Sequence, residues 1–124
     1  MKPSNTNYMY LKTIYNLSQR DEPVRSIDIA FYHNVSKPAV SCRIRELLKE
    51  KYIRMDNKEI VLTEKGLEIG EKISRNHKLF KALLESLGFD QDNADEVASL
   101  SSYVIDSRSL ESCLKETSTA SIRL

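Results

Sequence analysis

Between Ser36 and Lys51 the chain reads Ser-Lys-Pro-Ala-Val-Ser-Cys-Arg-Ile-Arg-Glu-Leu-Leu-Lys-Glu-Lys. This stretch constrains the fold more than any other. Ser36 is placed to cap a helix, and Pro38 falls in its first turn, where a missing N–H costs nothing. Val40, Ile44, Leu47 and Leu48 recur at i, i+4, i+7 and i+8, which puts them on one face. Pro38, Cys42, Arg45 and Lys49 share the opposite face, with Glu46 beside them. One apolar stripe and one mostly cationic face describe either a solvated amphipathic helix or a helix that lies in the major groove of double-stranded DNA.

The neighbouring segments narrow that choice. From Asn7 to about Gln19, Tyr8, Leu11, Ile14, Tyr15 and Leu17 recur at helical spacing. The run Arg20-Asp21-Glu22-Pro23 ends this helix, because the residue before a proline avoids the α region. Ser26 is then expected to cap a short helix ending near His33, with Ile27, Ala30 and Phe31 inward. His33-Asn34-Val35 is the turn, and Asn34 tolerates a left-handed conformation. A short helix, a tight turn and a second helix with a polar start make a helix-turn-helix.

After Lys51 the period changes to two. Tyr52–Met55 and Glu59–Leu62 read as short strands joined by Asp56-Asn57-Lys58, a hairpin wing. Thr63 is expected to cap a long helix, Glu64 to about Ser86, with Gly88 just past its end. Gly66 and Gly70 lie inside that helix and mark either close packing or a flexible junction. Further helices are predicted from Asp90 to about Ile105 and from Ser107 to Lys115, followed by a polar tail. The fold class is therefore mainly α with a small β-hairpin wing. It comprises a winged helix-turn-helix over residues 1–72 and a helical dimerisation module over residues 73–124.

Charge follows the same division. Residues 1–60 hold 11 Lys/Arg against 7 Asp/Glu, a balance of +4, whereas residues 61–124 hold 8 against 11, a balance of −3. A basic front half on an acidic back half suits a nucleic-acid-binding head. Cys42 and Cys113 have neither zinc nor CxxC spacing and read as reduced thiols. No apolar run is long enough to span a membrane and no signal-peptide pattern precedes the first helix, so a cytoplasmic protein is expected. An enzyme is disfavoured: the 124 residues contain 2 histidines and no Gly-rich phosphate loop.

Five segments, taken together, resemble the diphtheria-toxin-repressor and manganese-transport-regulator family of winged-helix repressors. They are Tyr10–Leu17, Asp28-Ile29-Ala30, Val35–Ser41, Leu62-Thr63-Glu64-Lys65-Gly66 and Arg75-Asn76-His77-Lys78-Leu79. The resemblance runs from about residue 8 to 110 and implies a homodimer that represses transcription from a palindromic operator. It implies that Ser36 and Pro38 touch thymine methyls and that Cys42 stands where the family has a base-facing glutamine. Lys37, Ala39, Ser41, Arg43 and Arg45 flank that surface, and Arg25, Arg43, Lys49 and Lys58 contact phosphates. Against this stand plainer readings: Ser36 as a cap, Pro38 as a helix starter, and Arg45 and Lys49 as solvated charges.

The resemblance also implies a regulatory Mn or Fe site, and there the residues depart from the family. The first-helix positions are Met9 and Lys12, the long-helix histidine is His77, and the Cys/Glu-x-x-Glu-His positions are Ser99, Ser102 and Tyr103. Neutral serine is a poor substitute for thiolate or carboxylate around a divalent ion. Met9, His77 and a newcomer, Asp95, are the remaining weak candidates, and His77 alone reads better as a partly buried histidine at the module junction. The expectation is a regulator without a conventional divalent-metal switch, with a metal-responsive repressor of non-standard site, or a winged-helix protein-interaction module, as alternatives. From Asn34 to Met55 there are 6 basic residues against 2 acidic, which favours DNA over a protein partner. Leu79, Phe80, Leu83, Leu84, Leu87, Val97, Leu100 and Val104 exceed what one two-helix packing face needs, so they are assigned to the dimer interface.

Overall fold

The computed structural model describes residues 3–102 and Lys115. The elements run α1 (Asn5–Ser18), α2 (Ser26–His33), α3 (Lys37–Lys49), β1 (Ile53–Asp56), β2 (Glu59–Leu62), α4 (Glu64–Ser86) and α5 (Gln91–Ser101). Two compact units meet within α4, between Glu71 and Lys72.

The first unit is held by one apolar core. Leu11 and Ile14 of α1, Ile29 of α2, Val40 and Leu47 of α3 and Ile60 of β2 are buried almost completely. Each contributes about 1.5–3 kcal/mol by leaving water. α3 forms where the sequence places it. The Ser36 hydroxyl accepts from the Ala39 N–H at 3.3 Å, and Pro38 sits in the first turn. It ends as Lys51 turns left-handed (φ 63°) and the Tyr52 N–H returns to the Leu47 carbonyl at 2.9 Å.

α2 departs from expectation twice. Its N-cap is Arg25, not Ser26, because the Asp28 carboxylate three residues on accepts the Arg25 backbone N–H at 2.9 Å. Ala30 packs against the core as expected, but beside it the buried residue is Ile29, while Ile27 and Phe31 face solvent, Phe31 with 89% of its surface exposed. Residues 27 and 29 lie about 200° apart on a helix, so only one can face the core. Both faces of this eight-residue helix carry apolar residues, and helical spacing does not choose between them. Asn34 adopts the left-handed conformation expected of it (φ 53°, ψ 49°).

β1 and β2 pair antiparallel, with Ile53 opposite Leu62 and Asp56 opposite Glu59. Asn57 and Lys58 both have positive φ (51° and 69°), the signature of a two-residue type I′ turn. On the other side of β2 the Ile60 N–H donates to the Val24 carbonyl at 2.7 Å, tying the wing to the segment before α2.

Thr63 caps α4 as expected, its hydroxyl accepting from the Gly66 N–H at 3.2 Å and donating to the Lys51 carbonyl at 2.7 Å. The two helix glycines mark close packing. A Cβ at residue 66 would collide with the Tyr52 carbonyl oxygen, and one at residue 70 would lie 2.8 Å from the Tyr15 Cβ.

In the second unit α4 closes at Gly88 (φ 100°), with the Phe89 N–H returning to the Leu84 carbonyl at 3.1 Å. Asp90 caps α5 through the Asn93 N–H at 2.8 Å. Ala94 and Ala98 are buried. The buried Asn76 amide donates to the Ser102 carbonyl at 2.9 Å and joins α4 to the end of α5. Val104, Ile105, the predicted helix of residues 107–114, Cys113 and the tail lie outside the described residues.

The Tyr52 carbonyl is backbone and cannot move aside for a methyl group. Gly66→Ala is therefore expected to lower stability by about 1–3 kcal/mol, read as a reduced urea midpoint.

Candidate nucleic-acid interface

The core fixes which side of α3 faces out. With Val40, Ile44 and Leu47 buried and Leu48 half-buried, Ser36, Lys37, Pro38, Ala39, Ser41, Cys42, Arg45 and Lys49 are exposed together. The outer face thus presents a proline, small side chains and cations, a composition suited to base edges and phosphates. Arg25 is exposed at the start of α2, and Lys58 is exposed at the tip of the wing. Arg43 is half-buried and pairs with Glu46 at 3.1 Å.

The turn of the helix-turn-helix is braced from α1 by His33. The Thr13 hydroxyl donates to the Met9 carbonyl at 3.0 Å, so it accepts the proton of His33 Nε2, 2.8 Å away. The imidazole stacks on Tyr10 with ring centroids 5.1 Å apart, and Tyr32 meets its edge. This is a structural histidine, as its place in the turn suggested.

Two of the weak metal candidates, His77 and Asp95, meet within the second unit. His77 Nε2 lies 2.8 Å from Asp95 Oδ1, and Lys81 Nζ lies 3.6 Å from the same oxygen. The hydrogen bond from His77 holds the Asp95 carboxyl below its ordinary range; burial opposes this, and the nearby Lys81 ammonium adds to the lowering. The Ser102 hydroxyl donates to the Ser99 carbonyl at 3.2 Å. Met9 belongs to the other unit, and Tyr103 lies outside the described residues. Among the described residues no three His, Cys, Asp or Glu side chains converge as metal ligands. This donor set does not fit a manganese or ferrous site.

Of the apolar residues assigned to a dimer interface, Leu84 is buried within the second unit, and Leu79, Phe80 and Leu83 are half-buried. Leu87, Val97 and Leu100 are exposed, Leu100 at 62%.

Two family models cover most of the chain. The iron dependent repressor N-terminal DNA binding domain matches residues 4–61, and the iron dependent repressor metal binding and dimerisation domain matches residues 63–115. An HTH-type transcriptional regulator of Methanocaldococcus jannaschii is 31% identical over 105 residues, covering 82% of this chain and 84% of that protein. The chain belongs to the iron-dependent repressor family. Members of this family are DNA-binding transcriptional regulators. The HTH-type regulator MntR of Oceanobacillus iheyensis is 32% identical over 85 residues, 68% of this chain and 58% of that one. The structure of the manganese regulator SloR superposes with a TM-score of 0.73 at 32% identity, over 93% of this chain and 54% of that one. The chain therefore spans little more than half the length of these two. No helix of the described residues is long and apolar enough to cross a membrane.

Asn7, Lys81 and Asn76 are functional or structural partners that the sequence does not announce. Each acts through a contact at least 14 residues away in the chain, and no local pattern encodes such a contact.

Burial holds the His33 imidazole below its ordinary pKa of 6.5. The unfolded chain thus takes up this proton more readily than the folded one. The associated stability is fully present above pH 6.5 and is lost as pH falls below it toward the depressed folded value. Urea midpoints are expected to drop between about pH 7.5 and about pH 5.5, and to drop less in His33→Gln.

Proposed function

We propose that this chain is a dimeric repressor that reads a palindromic operator with α3, through residues 1–72, and dimerises through residues 73–124. The observation that carries this reading is the outward face of α3, cationic and free of large apolar side chains, set on a core that fixes its rotation. Ser36, Pro38 and Cys42 face the bases, with Lys37, Ala39, Ser41 and Arg45 beside them. Arg25, Arg43, Lys49 and Lys58 contact phosphates. Leu87, Val97 and Leu100, exposed in the protomer, supply apolar surface for a twofold interface, which sets two reading helices about 34 Å apart, one turn of DNA. The protein works in the cytoplasm.

Phosphate contacts release counterions, whereas a proline against a thymine methyl discriminates between bases. Lys49→Ala is expected to weaken binding to a duplex selected from a random pool and to reduce the salt slope by about one. Pro38→Ala is expected to shift sequence preference with little change in slope. Wild-type affinity and slope in Lys49→Ala would refute the assigned face.

The regulator acts without a divalent-metal switch. Its support is the chemistry of the residues at the family's ligand positions: Ser99 and Ser102 carry no charge, and Asp95 already serves His77 and Lys81. Titrating metal-stripped protein with Mn²⁺, Fe²⁺, Zn²⁺ and Co²⁺ is expected to leave DNA affinity unchanged. A rise of about tenfold or more, abolished by His77→Ala, would instead establish a metal-responsive repressor with a non-standard site. The match of residues 63–115 to a metal-binding domain is what keeps that second reading in view.

A further inference from the structure

Arg43 sits on the flank of the reading helix, where its guanidinium has many rotamers available. A neighbouring Glu46 would ordinarily do little to fix it, because exposed ion pairs three residues apart are worth only a fraction of a kcal/mol and both side chains are flexible. Here the carboxylate is itself held from another helix. Glu46 Oε2 accepts from Arg43 Nη1 at 3.1 Å and from Asn7 Nδ2, also at 3.1 Å. Asn7 lies in the first turn of α1 with only 6% of its surface exposed, and its own backbone N–H is tied to the Ser4 hydroxyl at 3.1 Å. Its Oδ1 is buried without a hydrogen-bond partner among the described residues. A buried carbonyl left unpaired is costly. An apolar side chain would avoid that cost, so the contribution of this amide lies in its N–H₂ end, which grips Glu46.

We infer that Asn7 and Glu46 are positioning residues that preset Arg43 for a DNA phosphate, Asn7 anchoring the carboxylate and the carboxylate orienting the guanidinium. This rests on the phosphate-contacting role proposed above for Arg43. One donor of the guanidinium is engaged by Glu46, and the rest of its fork remains to meet a phosphate. The arrangement opposes two effects. Glu46 adds a negative charge beside the DNA, which repels it, and removes the freedom Arg43 would otherwise lose on binding, which favours it. The inference is that the second effect prevails.

The signs separate these effects in an experiment. The probe is a duplex selected from a random pool by the wild-type protein, with affinities measured over a range of salt concentrations. The variants are Arg43→Ala, Glu46→Ala, Glu46→Gln, Asn7→Ala and the double variants with Arg43→Ala, each checked for folding by circular dichroism and thermal melting. Arg43→Ala is expected to weaken binding. Glu46→Ala, a change at an exposed position that leaves the core intact, is expected to weaken it by about fivefold, and Asn7→Ala similarly. Glu46→Gln, which keeps the acceptor oxygen, is expected to restore part of the loss. In the Arg43→Ala background neither Glu46→Ala nor Asn7→Ala should weaken binding further. Stronger binding by Glu46→Ala would show that its charge repels DNA and overturn the inference. So would losses that add in full to that of Arg43→Ala, since they would be structural. Wild-type affinity in Arg43→Ala would instead remove the phosphate role itself, and the inference with it.

Discussion

Burial of Val40, Ile44 and Leu47 sets the rotation of α3 about its own axis, and nearly everything on its outward side follows from that rotation. A helix with three such residues cannot turn by even a quarter revolution without bringing at least one into water, at about 1.5–3 kcal/mol each. The same burial leaves Lys37, Pro38, Cys42 and Arg45 outside with no further constraint. The outer residues are thus free to vary in chemistry while their positions stay fixed. The ends of the helix are set separately, by the Ser36 hydroxyl at one and the left-handed Lys51 at the other. A fixed length, a fixed rotation and an exchangeable outer face are what a sequence-reading element needs.

Much of this was legible in the sequence because it is local. Caps, left-handed turn residues and helical periods act within four or five residues. Ser36, Asn34, Thr63, Gly88 and Asp90 therefore do in the structure what their types suggest. The inward face of α2 was not legible, since two turns with apolar residues on both sides contain no instruction about which side faces the core. Gly66 and Gly70 were ambiguous for a related reason. A glycine states that space is short or that flexibility is wanted, and only the partners, the Tyr52 carbonyl and the Tyr15 ring, say which. The Asn7–Glu46 bond spans 39 residues and the His77–Asp95 pair 18, and no single-sequence pattern reports such distances.

The second unit matches the family's metal binding and dimerisation domain. Asp95 is the informative residue. A carboxylate next to an imidazole suggests a ligand pair, but Lys81 shares the same oxygen and brings a positive charge of its own. The Asn76 amide on the Ser102 carbonyl then joins α4 to the end of α5 by a bond that is independent of any ion.

The wing has a property that follows from its two strands. A two-stranded sheet has two open edges, and here one of them, along β2, is closed by the Ile60 N–H on the Val24 carbonyl. The outer edge of β1 pairs with no other strand among the described residues. Such an edge is a template on which another chain can add a strand. Four residues give it little length, Arg54 and Asp56 bring charges of both signs, and the tight turn adds strong twist. Copies of the protein brought close together would therefore have little tendency to fuse through this edge into a larger sheet. The shortness of the hairpin thus favours separate molecules over edge-to-edge association.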